Sequence, residues 1–322
     1  MTQDLLETPV LFLVFNRPDT TARVFEEIRR ARPTRLYVSA DGPRADRPGE
    51  REKTEEARRI ATAVDWPCEV RTLFREENLG CKYAVSGAIT WFFEQEAEGI
   101  ILEDDCLPHP DFFPFCAELL ERYRDEPKVM AITGDNFQRG RWRGEGSYYF
   151  SKYPHCWGWA SWRRAWAHYD GEPSFWPEWG KSREYRAVHP DPLEQSYWAR
   201  VFNRVKAGEI DSWAYPWTAT CNHHGGLTAT PNANLVSNIG FGEEGTHTRG
   251  SSWISGMPLE PLVKWAHPRS VTQNAEADRF VFDEVFGGKK RRFPYALYYT
   301  PRRLGGIAYR RLTGRSRGKV RS

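Results

Sequence analysis

Uninterrupted apolar runs, each closed by polar or charged residues, set the rhythm of the first 135 positions. Val10-Leu11-Phe12-Leu13-Val14-Phe15 reads as a central parallel strand, ended by Asn16-Arg17-Pro18-Asp19. Asp19 or Thr20 can cap a helix over about Thr21 to Arg32. Arg35 to Ala40 reads as the second strand, closed by Asp41-Gly42-Pro43-Arg44, and a charged helix follows over about Glu50 to Thr62. A third strand over Cys68 to Phe74 is broken by Asn78-Leu79-Gly80. Lys82 to Glu96 then places Ala, Val, Ile and Phe on one helical face. Strands alternating with helices predict an α/β fold with a mostly parallel sheet flanked by helices.

The fourth run, Gly99-Ile100-Ile101-Leu102, ends in Glu103-Asp104-Asp105 and leads through Cys106 to Pro110-Asp111-Phe112-Phe113, a helix start. Three adjacent carboxylates repel one another, and a hard dication among them relieves that repulsion. Mg²⁺ or Mn²⁺ takes one or two carboxylates and fills its shell with water and substrate phosphates. Ligands of such sheets bind beyond the carboxyl ends of the strands, so Asn16, Arg17, Asp41, Asp104 and Asp105 fall where one crevice is expected. Without a ligand, the same acids read as a solvated turn.

Beyond Val129-Met130-Ala131-Ile132-Thr133, another strand, the pattern turns aromatic and Gly-interrupted, with a helix over about Leu193 to Lys206. The chain holds 14 Trp and is 14% aromatic, a surplus that suits core packing and sugar-stacking clefts alike. Trp157, Trp159 and Trp162 read as core before platform. No repeat, low-complexity tract or linker interrupts residues 1–285. Residues 1–135 and 136–285 read as two halves of one unit, and 286–322 as a tail.

Charge changes the picture. The net value of +3 conceals twelve Lys or Arg and no acid from Lys289 onward, against 34 basic and 43 acidic residues before it. The body is acidic and the tail basic. In the tail, rings of Phe293, Tyr295, Tyr298 and Tyr299 mix with Arg302, Arg303, Arg310 and Arg311, which suits an anionic membrane surface. A tail packed on the acidic body is the alternative, and no nucleic-acid module is recognisable.

The six Cys are scattered with no CxxC pair, which reads as reduced thiols in a cytoplasmic protein. No signal peptide is visible and no run reaches the roughly 18 apolar residues of a membrane span. The absence of GxGxxG after the first strand argues against a dinucleotide site, and no P-loop or GxSxG elbow is present. His223-His224 reads as loop polarity rather than a metal pair. His247 follows a Gly-rich turn where the backbone can approach a phosphate, and Lys82 stands at a helix start that favours an anion.

On these residues the chain resembles the nucleotide-diphospho-sugar transferases of the GT-A (Rossmann-like) fold, of the N-acetylglucosaminyltransferase I type and its bacterial relatives. The resemblance spans about residues 9–285. It implies that Asn16 and Arg17 contact the nucleotide, that Asp41 reads uracil and that Asp105 of the acid triad ligates Mn²⁺ or Mg²⁺. Glu103 and Asp104 would bind ribose or the water shell of the ion, with Lys82 nearby and His247 a further metal candidate. The Pro231 to Thr248 segment resembles the family's closing loop. The catalytic base would be Asp211 in Asp211-Ser212-Trp213-Ala214-Tyr215-Pro216-Trp217. The bacterial relatives carry a second acid where this chain has Ala214, which opens the alternative of an impaired, binding-only protein.

The expectation is a metal-dependent, inverting glycosyltransferase. It would pass a sugar from a UDP-sugar to a glycan or lipid-linked acceptor in bacterial surface-polysaccharide assembly, with an aromatic-rich acceptor lobe between Tyr148 and Trp217. A sugar nucleotidyltransferase is a further alternative, although no basic, Gly-rich triphosphate loop follows the first strand.

Overall fold

The computed structural model describes residues 5–240 and 253–297. Its first half alternates as expected: β1 (Val10–Val14), α1 (Pro18–Ala31), β2 (Arg35–Ala40), α2 (Glu50–Ala61), β3 (Glu69–Phe74), α3 (Gly80–Gln95) and β4 (Glu98–Glu103). There follow β5 (Cys106–Pro108), α4 (Phe112–Arg122), β6 (Val129–Thr133), β7 (Tyr148–Ser151) and β8 (Trp159–Trp162). Short helices α5 (Arg163–Trp166), α6 (Trp176–Trp179) and α7 (Arg183–Val188) precede α8 (Pro192–Lys206) and α9 (Ala214–His223). The described elements end with β9 (Leu227–Pro231), β10 (Val236–Asn238), α10 (Ala275–Glu284) and a 3-10 turn at Lys289–Arg291.

Eight strands form the main sheet in the order β3-β2-β1-β4-β8-β6-β9-β7, a Rossmann-like arrangement flanked by helices. β1 pairs in parallel with both β2 and β4, and β2 with β3. β8 enters antiparallel between β4 and β6, and β7 closes the sheet antiparallel to β9. Every residue of β1 is buried, so the strand can read as a continuous apolar run.

The alternation of side chains across the sheet separates two cores. Val10, Phe12 and Val14 join Val24, Phe25 and Ile28 of α1 and the Phe-rich face of α4 on one side. Leu11 and Leu13 join Ala88, Ile89, Phe92 and Phe93 of α3 on the other, together with Trp159, Trp166, Trp213 and Trp217. A third core, with Trp176, Trp179, Trp198 and Phe202, builds the helical lobe. Most aromatics between Tyr148 and Trp217 are thus interior: Trp159 and Trp162 are buried, as the core reading expected.

Two local expectations change. α1 starts at Pro18 rather than Thr21, with Arg17 as its flanking residue and no side-chain cap; Asp19 lies within the first turn. Proline suits that first turn because the missing N–H would have no partner there. The second difference is a separate two-stranded sheet, in which β10 pairs antiparallel with β5. The Asn- and Gly-rich segment is thereby stitched to the chain immediately after the acid triad.

Candidate functional site

Because β1, β2 and β4 are parallel neighbours, their carboxyl ends lie side by side. They deliver Phe15-Asn16-Arg17, Asp41 and Glu103-Asp104-Asp105 to one edge. Arg17 forks between two carboxylates. Its Nη2 donates to Asp104 Oδ1 at 2.5 Å and its Nη1 to Asp105 Oδ2 at 2.8 Å. The Phe15 N–H donates to Asp104 Oδ2 at 3.1 Å, which fixes that carboxylate from below. Burial disfavours the charge of Arg17, but Asp104 and Asp105 outweigh it and hold its pKa above the ordinary value. Burial and the neighbouring acids Asp105 and Asp104 push Glu103 up to about 8. Burial also raises Asp104, to about 6, against the pull of Arg17.

Asn16 faces another partner, donating to Glu50 Oε1 at 2.8 Å. Arg44 holds the same carboxylate through its backbone N–H at 2.7 Å and its guanidinium. Burial works against the charge of Glu50, but Arg44 and Asn16 outweigh it and keep its pKa low. A cavity of about 300 Å³ opens here, lined by Asn16, Arg17, Arg44, Arg47, Glu50 and Lys53 among others. Four of those side chains are cationic. Arg44, Arg47, Glu50 and Lys53 did not stand out in the sequence. The signal was the charge of the loop just beyond the second strand, Asp41 to Arg47, which periodicity does not weigh.

Asp41 and Asp211 converge on the start of α3. Asp41 accepts from the N–H groups of Gly42 at 3.0 Å, Leu79 at 3.0 Å and Gly80 at 3.1 Å. Burial raises its pKa against those bonds. Asp211 Oδ1 accepts the Lys82 N–H at 3.3 Å while its residue stays exposed. The anion that the start of α3 attracts is therefore supplied by these two side chains. The Lys82 ammonium lies 3.9 Å from Glu172 and 5.1 Å from the Tyr83 ring centre. Cys81 feels all of these acids: burial, then Glu103, Asp211, Asp105 and Asp41, push its thiol up to about 12. Four acids singled out from sequence thus act on one atom. Ala214 opens α9 and packs against the second core, beside Trp213. Asp135, at the end of β6, is buried and pushed up to about 7 by that burial, although Thr133 hydrogen-bonds to it.

The described part of the Asn- and Gly-rich segment, residues 231–240, reaches the triad. Ile239 N–H donates to Asp105 O at 2.8 Å, and a Cβ on Gly240 would stand 2.3 Å from Asp105 Oδ2 and 2.5 Å from Arg17 Nη1. His247 and the rest of the segment to Thr248 lie outside the described residues.

The donor set fits a hard dication of the Mg²⁺ or Mn²⁺ kind. Glu103, Asp104 and Asp105 offer only oxygens. Among the described residues no group of three or more His, Cys, Asp or Glu is arranged to cage an ion. The histidine pair behaves as packing: the His223 ring stacks on Phe175 at 4.1 Å and the His224 ring lies 4.2 Å from His168. All six cysteines are free. Among the described residues no helix is long and apolar enough to cross a membrane.

No protein-family model matches the chain, and no curated protein matches it in sequence. Among solved structures it is similar to HddC from Yersinia pseudotuberculosis, with a TM-score of 0.33 and 14% identity over 53% of this chain and 86% of that one. It is also similar to a UDP-glucose pyrophosphorylase complexed with UDP-glucose, with a TM-score of 0.30 and 10% identity over 50% of this chain and 78% of that one.

Proposed function

We propose that this chain is a metal-dependent, inverting glycosyltransferase that uses a nucleotide-diphospho-sugar, with UDP as the nucleotide. The observation that carries the reading is the Arg17 fork on Asp104 and Asp105 at the mouth of a cationic cavity. Carboxylates beside a cluster of Arg and Lys suit a ligand that brings both a dication and phosphates.

In this reading Asp105 would hold the ion, with Asp104 and Glu103 toward the ribose or the water shell and His247 as a further candidate ligand. When bound, the ion neutralises charge that develops on the leaving diphosphate. Arg17 orients the phosphates from the same edge, and Asn16 with the Arg44 loop encloses the nucleoside end. Asp41 acts near the base both directly and by fixing the start of α3. Asp211 accepts the proton of the acceptor hydroxyl as that oxygen forms its bond to the anomeric carbon, and the nucleoside diphosphate departs from the opposite face. Its exposure leaves it accessible to an acceptor, whereas an acid at 214 would stand against the second core.

The rival reading is a sugar nucleotidyltransferase, favoured by the four cations of the cavity, enough for a triphosphate. One assay separates the two. The protein is incubated with a panel of UDP-sugars and candidate acceptors, with and without Mn²⁺, and separately with UTP and sugar 1-phosphates. Acceptor-dependent UDP release that needs Mn²⁺ supports transfer. Pyrophosphate release from UTP, with no UDP from any donor, overturns it in favour of the rival.

A further inference from the structure

The Lys82 side chain has no part in the reaction proposed above, yet it is a charge held inside the site. The residue is 8% exposed. Among the described residues the one ion pair of its ammonium is with Glu172, at 3.9 Å. A charge-assisted hydrogen bond to a carboxylate closes to about 2.7–2.9 Å, and a buried ammonium without one is costly.

Glu172 is a loose partner. Its side chain is 74% exposed, against 10% for Lys82. The backbone of its loop is what is fixed. Glu172 N–H donates to Asp170 Oδ1 at 2.9 Å, Ser174 N–H to Asp170 Oδ2 at 2.6 Å, and Lys206 Nζ to Glu172 O at 3.0 Å. A Cβ on Gly171 would stand 3.8 Å from Lys82 Cε, so the loop lies against the lysine stem while the carboxylate itself stays in water.

Two further groups meet at this lysine. Its backbone N–H donates to Asp211, and its four-carbon stem carries the ammonium from there toward Glu172. The ring of Tyr83 lies 5.1 Å from the ammonium, on a residue 57% exposed. Such a ring offers an apolar face and a polar tip, which matches the C–H face and hydroxyl edge of a pyranose. The acid assigned the proton transfer, a buried cation short of an anion and an open aromatic ring therefore adjoin one another.

We propose that Lys82 and Tyr83 form the acceptor subsite, and that the sugar it takes carries an anionic group, a carboxylate or a phosphate. The sugar lies on Tyr83 with its reacting hydroxyl toward Asp211, and its anion replaces the Glu172 carboxylate on Lys82. A neutral sugar would leave the ammonium with its loose partner. The inference rests on the reading of Asp211 as the base, but binding of such a sugar is measurable without any transfer.

The test is a ligand-observed NMR titration of the full-length protein with methyl β-glucuronide, glucose 6-phosphate and methyl β-glucoside, with UDP and Mn²⁺ titrated in parallel. At least one anionic probe is expected to bind about tenfold more tightly than the glucoside. Lys82→Gln should abolish that preference, and Tyr83→Ala should weaken all three sugars. Glu172→Gln, which alters only an exposed group, should tighten the anionic probe and leave the glucoside unchanged. UDP affinity should be the same in every variant. Whichever anionic probe is preferred identifies the carboxylate or the phosphate as the group recognised. The proposal is overturned if neither anionic probe is preferred, if Lys82→Gln keeps the preference, or if Glu172→Gln or Tyr83→Ala binds the sugars as the parent does. It is also overturned if Lys82→Gln lowers UDP affinity, which would put the lysine on the nucleotide. Preference for an anionic sugar in a protein that binds no UDP would instead contradict the transferase reading and leave the subsite standing.

Discussion

Arg17 engages two acids at once, which makes it the residue on which the site's electrostatics turn. Removing one partner separates binding from folding. Asp105→Ala leaves Asp104 still bonded by Arg17 and the Phe15 N–H, so the fold should persist while Mn²⁺-dependent UDP binding is lost. Calorimetry on this variant that returns undiminished UDP affinity with Mn²⁺ would refute the ligand assignment. Asp211→Asn should lower turnover about 10²–10⁴-fold with little change in donor binding, as expected for loss of a general base. Ala214→Asp should not raise activity, because position 214 packs against the second core. Steady-state kinetics of the two variants, read side by side, decide which position bears the base.

The acids also predict a pH dependence with a definite sign. Glu103 is raised to about 8 and Asp104 to about 6, so between the ordinary carboxylate range and those values the native state binds more protons than the unfolded chain. Stability from these groups therefore falls as pH rises through that window. Glu103→Gln removes one of them, and its melting temperature should fall less from about pH 5.5 to about pH 8 than that of the parent protein. Mn²⁺ should flatten the parent's slope, since it favours the ionised carboxylates. Parallel slopes for parent and variant would show that Glu103 is not raised.

At the scale of elements, the parallel strands were legible because burial on both faces forces continuous apolar runs, and each run stops where the sheet edge begins. β1, β2 and β4 are therefore read nearly to the residue, and with them the positions of Arg17, Asp41 and the triad. β5 and β10 escaped because each is three residues long and neither shows alternation. Their pairing is non-local, and it is what carries Ile239 and Gly240 onto Asp105. Arg44 and Arg47 in the loop after β2 escaped for a different reason: their side chains matter by their three-dimensional convergence with Arg17, and spacing along the chain does not encode that. A substitution tests the close approach. Gly240→Ala puts a methyl against Asp105 Oδ2 and Arg17 Nη1, and should weaken Mn²⁺-dependent UDP binding about tenfold with a small change in melting temperature. A variant that binds as tightly as the parent would mean that the close approach at Gly240 does not matter to the ligand.

Over the whole molecule, the aromatic surplus resolves mainly into interior packing. Composition could not separate a stacking platform from a core, whereas the second and third clusters show Trp159, Trp166, Trp176, Trp179, Trp198, Trp213 and Trp217 packed against one another. The buried rings hold β8 and α9 against α3, and so hold Asp211 at the start of α3. Arg292, at the start of the basic tail read from charge alone, pairs with Asp191 and Asp283 of the acidic body. The central claim remains the pairing of a dication with a nucleoside diphosphate at the Arg17 fork. The most direct measurement is a calorimetric titration of UDP into the full-length protein with Mn²⁺ and again with a chelator. The account predicts binding that needs Mn²⁺ and disappears in Asp105→Ala. UDP affinity that is the same with and without the ion, or no UDP binding under either condition, would contradict it.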